Sequence, residues 1–289
     1  ADRVRVLVDP DDSGRPPRAI NFSGDFNEPL DGTNAGVLTY EGTVWVTCIP
    51  TLWRFRDTTF DGVADERERV FDGFGVRIAL RGHDMHGLVM GPDGRLYWSI
   101  GDRGYHLELP DGRVLADPKS GAIFRCELDG SNLEVFCTGL RNPQELAFNR
   151  FGDLFTGENN SDAGDRARIV WCVDGAEIGW EMNYQTLEGA NQRGPWNQER
   201  IWRLWEAGDA TDPRRAAWAL PPLAHVGSGP SGLVAYPGVG LDSKYDDALF
   251  MCDFLGDRRS SRVLAMTLER DGAGYEVRNV HPFVSDEIG

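Results

Sequence analysis

The stretch "GPDGRLYWSIGD", residues 91–102, sets a tight turn before an unbroken apolar run and ends on an acid. Proline, aspartate and glycine make the turn, and the run that follows is short and rich in aromatic and β-branched residues, so it reads as the second strand of a hairpin. The plan recurs in "EGTVWVTCIP" (41–50), "FGDLFTGENN" (151–160) and "YDDALFMCDFLG" (245–256). Its aliphatic positions, Val44, Leu96, Leu154 and Leu249, lie 52, 58 and 95 residues apart, the last gap being close to two of the others. A further copy stands at the start, where "DPDDSG" from Asp9 matches "DTTFDG" from Asp57 at an offset of 48. Periods of about 40–50 residues, each with room for four short strands, are the signature of propeller blades. The expected fold is all-β: one β-propeller domain over 1–289 with five or six four-stranded blades. A β-sandwich with coincidental hairpins is the competing architecture.

Strands are expected at 86–90, 95–100, 121–126 and 133–138, with equivalent sets in 34–57, 143–172 and 231–284. Strands beginning near Leu88, Leu146 and Leu233 should be innermost. The pattern fails over 173–222, where Ile201, Trp202, Leu204 and Trp205 recur at helical spacing, so an irregular or helical insertion is expected there. The chain starts on what reads as the second half of a blade and stops at "FVSDEIG", an expectation of a propeller trimmed at both ends or closed differently.

The chain has 289 residues and a formal net charge of -16, with 30 Lys and Arg against 46 Asp and Glu and no basic cluster. A phosphate backbone has nothing to bind to here, so no nucleic-acid partner is expected. No apolar run approaches the roughly 20 residues that span a bilayer, and "ADRVRVLVDP" lacks the pattern of a signal peptide. The five cysteines form no CxxC or CxxCH, which argues against a zinc knuckle and attached haem. Cys126 and Cys137 flank a turn at Asp129–Gly130–Ser131–Asn132, so a hairpin could set them opposite one another as a disulfide, or leave them as two buried thiols.

One metal signal is legible in the spacing. "DTTFDGVADERE" from Asp57 puts Asp57, Thr59 and Asp61 at loop positions 1, 3 and 5, Gly62 at 6, the Val63 carbonyl at 7, Asp65 at 9 and Glu68 at 12. That is the oxygen-ligand order of a 12-residue calcium loop. Its flanks do not read as two helices, so a structural Ca2+ between strands is expected, against the alternative of a solvated acidic turn. The Asp9 copy has Ile20 where Glu68 would stand.

Four stretches carry a family resemblance: "HDMHGLVMGPDGRLYWSIGDRG" (83–104), "GLRNPQELAF" (139–148), "GENNSDAGDRARIVW" (157–171) and "SGPSGLVAYPG" (228–238). Together they resemble the glucose/sorbosone dehydrogenase family of pyrroloquinoline quinone (PQQ) enzymes. The closer likeness is to the bacterial branch described as membrane-bound dehydrogenases, which shares the "RFRDTTFDGVADERE" type of stretch. The resemblance implies a six-bladed propeller and oxidation of a sugar or other alcohol by hydride transfer to the quinone. It also implies a periplasmic or extracellular location and an external electron acceptor such as a cytochrome. Such chemistry needs a base, a cation and positive groups for the cofactor's carboxylates.

By the same resemblance His83, eight residues before Gly91, takes the place of the catalytic base, and Asp102 that of a carboxylate near the pocket. Arg141 and Asn142 match the pair set against the quinone, while Asn160 and Ser161 fall where backbone carbonyls hold the cofactor's calcium. The family's later basic clamp has no clear counterpart; "GDRRSSR" offers Arg258, Arg259 and Arg262, which read equally well as a solvated turn. His86 stands where the family has a small residue, and its role stays open. Two other classes remain: a non-catalytic propeller binding carbohydrate or protein, and a calcium-dependent lactonase-type propeller with Glu158, Asn159 and Asn160 as ligands.

Overall fold

The computed structural model describes residues 2–8, 18–76, 83–159, 167–180, 220–257 and 260–285. Within them the chain is a β-propeller built of antiparallel sheets. A hairpin, β1 (Asp2–Val8) with β2 (Arg18–Phe26), comes first. Blade one is β3 (Asn34–Tyr40), β4 (Thr43–Cys48), β5 (Thr51–Arg56) and β6 (Glu66–Asp72). Blade two is β7 (Met85–Met90), β8 (Leu96–Ile100), β11 (Gly121–Cys126) and β12 (Glu134–Leu140). Between β8 and β11 a separate hairpin rises, β9 (Tyr105–Glu108) with β10 (Val114–Asp117), and β16 (Ala176–Glu177) adds to the outside of β12 in parallel. Blade three is β13 (Leu146–Phe148), β14 (Leu154–Glu158), β15 (Arg168–Cys172) and β17 (Ala224–His225); blade four is β18 (Pro230–Ala235), β19 (Ala248–Asp253), β20 (Arg262–Asp271) and β21 (Gly274–Ser285).

The turns explain the hairpins. Gly91 N–H donates to Arg95 O at 2.8 Å and Gly94 N–H to Gly91 O at 3.0 Å, a type I turn closed by Gly94 at φ +81°. The same pair of bonds closes 109–113, 127–131 and 149–153. Val44, Leu96, Leu154 and Leu249 consequently all open the second strand of their blades. The innermost strands are β3, β7, β13 and β18, each in contact with the next, which places the segments at Leu88, Leu146 and Leu233 as the spacing predicts.

Second strands β8 and β14 are buried along their whole length, and their alternation divides the side chains between two neighbours; in β19 of blade four Phe250 is half-buried and Cys252 exposed. In β8, Leu96, Trp98 and Ile100 face a core shared with Trp45, Ile49 and Leu52 of blade one, while Tyr97 faces one shared with Leu146 and Leu154 of blade three. In blade three Leu154 looks back and Phe155 forward, to Leu249, Met251 and Met266 of blade four. Phe22 and Phe26 of the first hairpin cover the remaining face of blade one, on Val46, Trp53 and Phe55. Trp98 stacks on Phe124 (5.7 Å between centroids) and on Phe71 (5.9 Å), so truncating it should cost about 3–5 kcal/mol.

The disulfide reading of Cys126 and Cys137 is corrected and the buried-thiol reading holds. Cys126 and Cys137 are free thiols, because the turn at 127–131 brings Cys137 opposite Ile123 and not opposite Cys126. They also belong to cores on opposite faces of blade two. Of the stretch 173–222 only 173–180 and 220–222 are described, and they include β16, which joins blade two; Ile201, Trp202, Leu204 and Trp205 lie outside the described residues.

His86, on innermost strand β7, is partly buried, and its Nε2 has no hydrogen-bond partner among the described residues. Burial pulls its imidazole down from the usual 6.5 to about 4, opposed by the Ala35 backbone of blade one and reinforced by repulsion from His83. The folded state therefore refuses a proton that the unfolded chain accepts. Stability should be unaffected above about pH 6.5 and fall as pH drops from there toward 4, by on the order of 1–3 kcal/mol. Thermal melts of His86→Gln across this window should show a flatter pH slope than the parent. Gly94→Ala, whose Cβ meets nothing within 4 Å, should cost about 1–2 kcal/mol from its left-handed backbone alone, read as a lower midpoint in urea.

Candidate active site

His83 lies just ahead of β7 with a left-handed backbone, φ +65°. Its neighbour across the sheet end is Gly101, whose N–H donates to Asp84 O at 3.3 Å. A Cβ at Gly101 would sit 2.6 Å from His83 O and 2.7 Å from His83 Cβ, so only glycine permits the approach. That approach delivers His83 to the next residue, Asp102. His83 Nδ1 and Asp102 Oδ1 are 2.7 Å apart. A carboxylate only accepts, so Nδ1 carries the proton and Nε2 is left as the basic nitrogen.

Asp102 is buried, and both carboxylate oxygens and the N–H have partners. Oδ2 accepts from Trp180 Nε1 at 3.1 Å, and the Asp102 N–H donates to Arg141 O at 2.7 Å. The Arg141 guanidinium lies over the Trp180 ring, 5.5 Å from its centroid. His83, Asp102, Trp180 and Arg141 are thus one bonded cluster drawn from blade two, the segment entering blade three and the turn after β16. Arg141 and Asn142 are both 2% exposed, and the N–H groups of both donate to the Glu158 carboxylate, at 2.7 and 3.2 Å. Arg168 Nη2 donates to the same carboxylate at 3.1 Å. Burial pushes the Glu158 carboxyl upward, countered by Arg168 and the two amides.

A second ion pair borders the cluster. Asp84 is buried with Arg103 Nε 3.6 Å from its Oδ1; desolvation raises the Asp84 carboxyl, against the pull of Arg103 and then of His83. Asn142 Oδ1 is buried with no hydrogen-bond partner among the described residues, a position suited to an incoming N–H, O–H or cation. Beside the Arg141 cation it fits a polyanionic, hydrogen-bonding cofactor. Of the other sequence-derived cofactor positions, Asn160, Ser161 and Arg258 lie outside the described residues, and Arg262 is paired with Asp253 at 3.2 Å.

The loop from Asp57 joins β5 to β6. Asp57 accepts from the N–H groups of Asp61 (3.3 Å) and Gly62 (2.8 Å), and Asp61 from Val63 N–H (2.9 Å). Asp65 accepts from the N–H and hydroxyl of Thr58 and from Thr59 N–H, bonds that hold its carboxyl below the usual range. Glu68 stands on β6 directly across from Arg54, whose Nε donates to it at 3.0 Å. Among the described residues no three acidic, histidine or cysteine side chains gather in a cation-binding arrangement.

Trp180, Arg168 and the positional use of Glu158 escaped the sequence reading. The usable signal is that "LFTGE" is a wholly buried strand ending in an acid, which demands charged or N–H partners. Trp180 had none, since its position follows from the parallel pairing of β16.

Relatives agree with this architecture. Over 158 residues the chain is 27% identical to quinoprotein glucose dehydrogenase B of Acinetobacter calcoaceticus, an alignment that takes in 46% of this chain and 33% of that protein. The chain thus spans about a third of the length of that curated relative. Among solved structures, 98% of it superposes on 78% of an oxidoreductase described as a glucose dehydrogenase from Thermus thermophilus, with TM-score 0.57 and 20% identity. A PQQ-bound aldose sugar dehydrogenase from Streptomyces coelicolor gives 0.57 at 18% identity, covering 94% of this chain and 73% of that one. The resemblance to glucose/sorbosone dehydrogenases and the propeller fold both hold. No helix among the described residues is long and apolar enough to cross a membrane. With a match running over residues 1–278, the chain belongs to the family described as "Domain of unknown function (DUF7133)".

Proposed function

We propose that the chain is a PQQ-dependent dehydrogenase of a sugar or other alcohol. The observation that carries this reading is the His83–Asp102 pair, joined through Trp180 and Arg141 to a buried cationic, hydrogen-bonding surface. Bound PQQ would supply an acceptor for the hydride leaving the carbinol carbon, and Ca2+ would polarise it; Arg141 and Asn142 would hold the quinone. His83 takes the hydroxyl proton at Nε2. Asp102 fixes the ring and stabilises the imidazolium that forms, and Trp180 keeps Asp102 in place. Arg141 stabilises negative charge as it develops beyond the substrate. Electrons leave to an external acceptor such as a cytochrome, and the setting is periplasmic or extracellular.

The binding-module alternative draws on one observation: Arg262 of the "GDRRSSR" turn is committed to Asp253, which leaves the basic clamp thinner. The lactonase alternative is weakened because three donors already occupy Glu158.

His83→Asn, which tolerates the left-handed backbone, should lower kcat by about 10²–10⁴ in protein reconstituted with PQQ and calcium, leaving the quinone affinity near that of the parent. Arg141→Ala should weaken both. Wild-type protein that binds a sugar yet oxidises none under these conditions would select the binding module. We further propose that the loop carbonyl of Val63 and the side chains of Asp57, Thr59, Asp61 and Asp65 take a structural Ca2+, with Glu68 turning from Arg54 to join them. Calcium should then raise the melting temperature by a few degrees, about 1 kcal/mol, and Asp57→Ala should abolish that rise; equal melting with and without chelator means the acids serve as turn acceptors alone.

A further inference from the structure

We propose that Glu158, neutralised by Arg168, is a positioning residue that presents Arg141 and Asn142 to the cofactor; its functional consequence rests on the quinone reading above. Two consecutive amides, those of Arg141 and Asn142, converge on one carboxylate, which fixes the backbone from which both side chains spring. The carboxylate is 0% exposed, and Arg168, its cross-strand partner in the β14–β15 ladder, is 4% exposed. Arg168 Nη1 also donates to Ile178 O at 3.4 Å, two residues before Trp180. Glu158 and Arg168 therefore tie the Arg141 segment and the Trp180 turn to the same strand end. A shift of Glu158 would move the Arg141 guanidinium and the indole beneath it together.

Blade four builds the same device independently. Asp253 ends β19 as Glu158 ends β14. Its Oδ1 accepts from the consecutive N–H groups of Ser228 (2.7 Å) and Gly229 (3.1 Å), just ahead of β18, and its Oδ2 from Arg262, again its cross-strand partner. A terminal acid on the second strand, two amides of the segment entering the innermost strand and an arginine on the third strand form a repeated clamp. In blade four it holds Ser-Gly; in blade three it holds Arg-Asn, the pair with the chemistry. The repeat supplies a control in which the same lesion leaves the quinone-facing pair untouched.

The test compares the full-length protein with two double variants, Glu158→Gln with Arg168→Met and Asp253→Asn with Arg262→Met; removing both charges avoids stranding one of them in the interior. Folding is checked by circular dichroism, and Glu158→Asp replaces the first variant if that one does not fold. Amide exchange in the cofactor-free protein should be about tenfold or more faster at Arg141 and Asn142 in the Glu158 variant. PQQ titrated by its absorbance should bind about 10–30-fold more weakly to it, while the Asp253 variant, with comparable loss of melting temperature, binds as the parent does. Unchanged protection of the two amides overturns the proposal, as does unchanged affinity once they are released, or an equal affinity loss in the Asp253 variant. If the parent itself binds no PQQ, the dehydrogenase reading fails and amide exchange alone decides the positioning role.

Discussion

Blades one to three bury two faces, and the two-residue alternation of their second strands is what makes that possible. Leu96, Trp98 and Ile100 go one way and Tyr97 the other; Leu154 goes back and Phe155 forward. A one-residue slip in any of these strands would exchange its two cores at once, so register is held by packing on both sides as well as by the turns. The consequence is a stiff ring segment in which the strand ends have fixed positions. Loops at those ends inherit that precision, and the His83, Asp102 and Arg141 cluster is assembled from three of them.

The price of the cluster is buried charge. Asp102, Glu158 and Asp253 are each 1% exposed or less; Glu158 and Asp253 are matched to backbone N–H donors ahead of an innermost strand, and Asp102 to the His83 imidazole and the Trp180 indole. Such groups are tolerable only when fully engaged, and taking away a single partner leaves a charge in a medium that cannot solvate it. Packing dictates the apolar interior, but Glu158 and Asp253 hold the backbone segments that enter the innermost strands β13 and β18. The fold and the site therefore meet at the ends of second strands.

Much of this was legible in the chain itself because it is written in local signals. The turn glycines, the buried second strands and the order of blades follow from residues within a few positions of one another, whereas the nearness of His83 and Asp102 came from the family resemblance. What was not legible depends on partners far along the chain or on a register choice. Cys137 faces away from Cys126 because the turn at 127–131 fixes a pairing that the midpoint of the intervening sequence misplaces. The β9–β10 hairpin repeats the "PDG" turn at 110–112 without opening a blade, a use that spacing cannot separate from the others. Trp180 reaches Asp102 because β16 runs parallel to β12, and Glu68 meets Arg54 across β5 and β6, a contact that loop spacing does not show.

His83 holds a left-handed backbone conformation that suits glycine or asparagine better than an imidazole, and Gly101 leaves no room for the loop to relax. If His83 is the base proposed above, the position sets stability against chemistry at a single residue. A population of variants chosen for heat resistance alone would be drawn away from histidine at 83, while one chosen for turnover would hold it and carry the strain. Histidine in that conformation is what selection for chemistry, and not for folding, would leave behind.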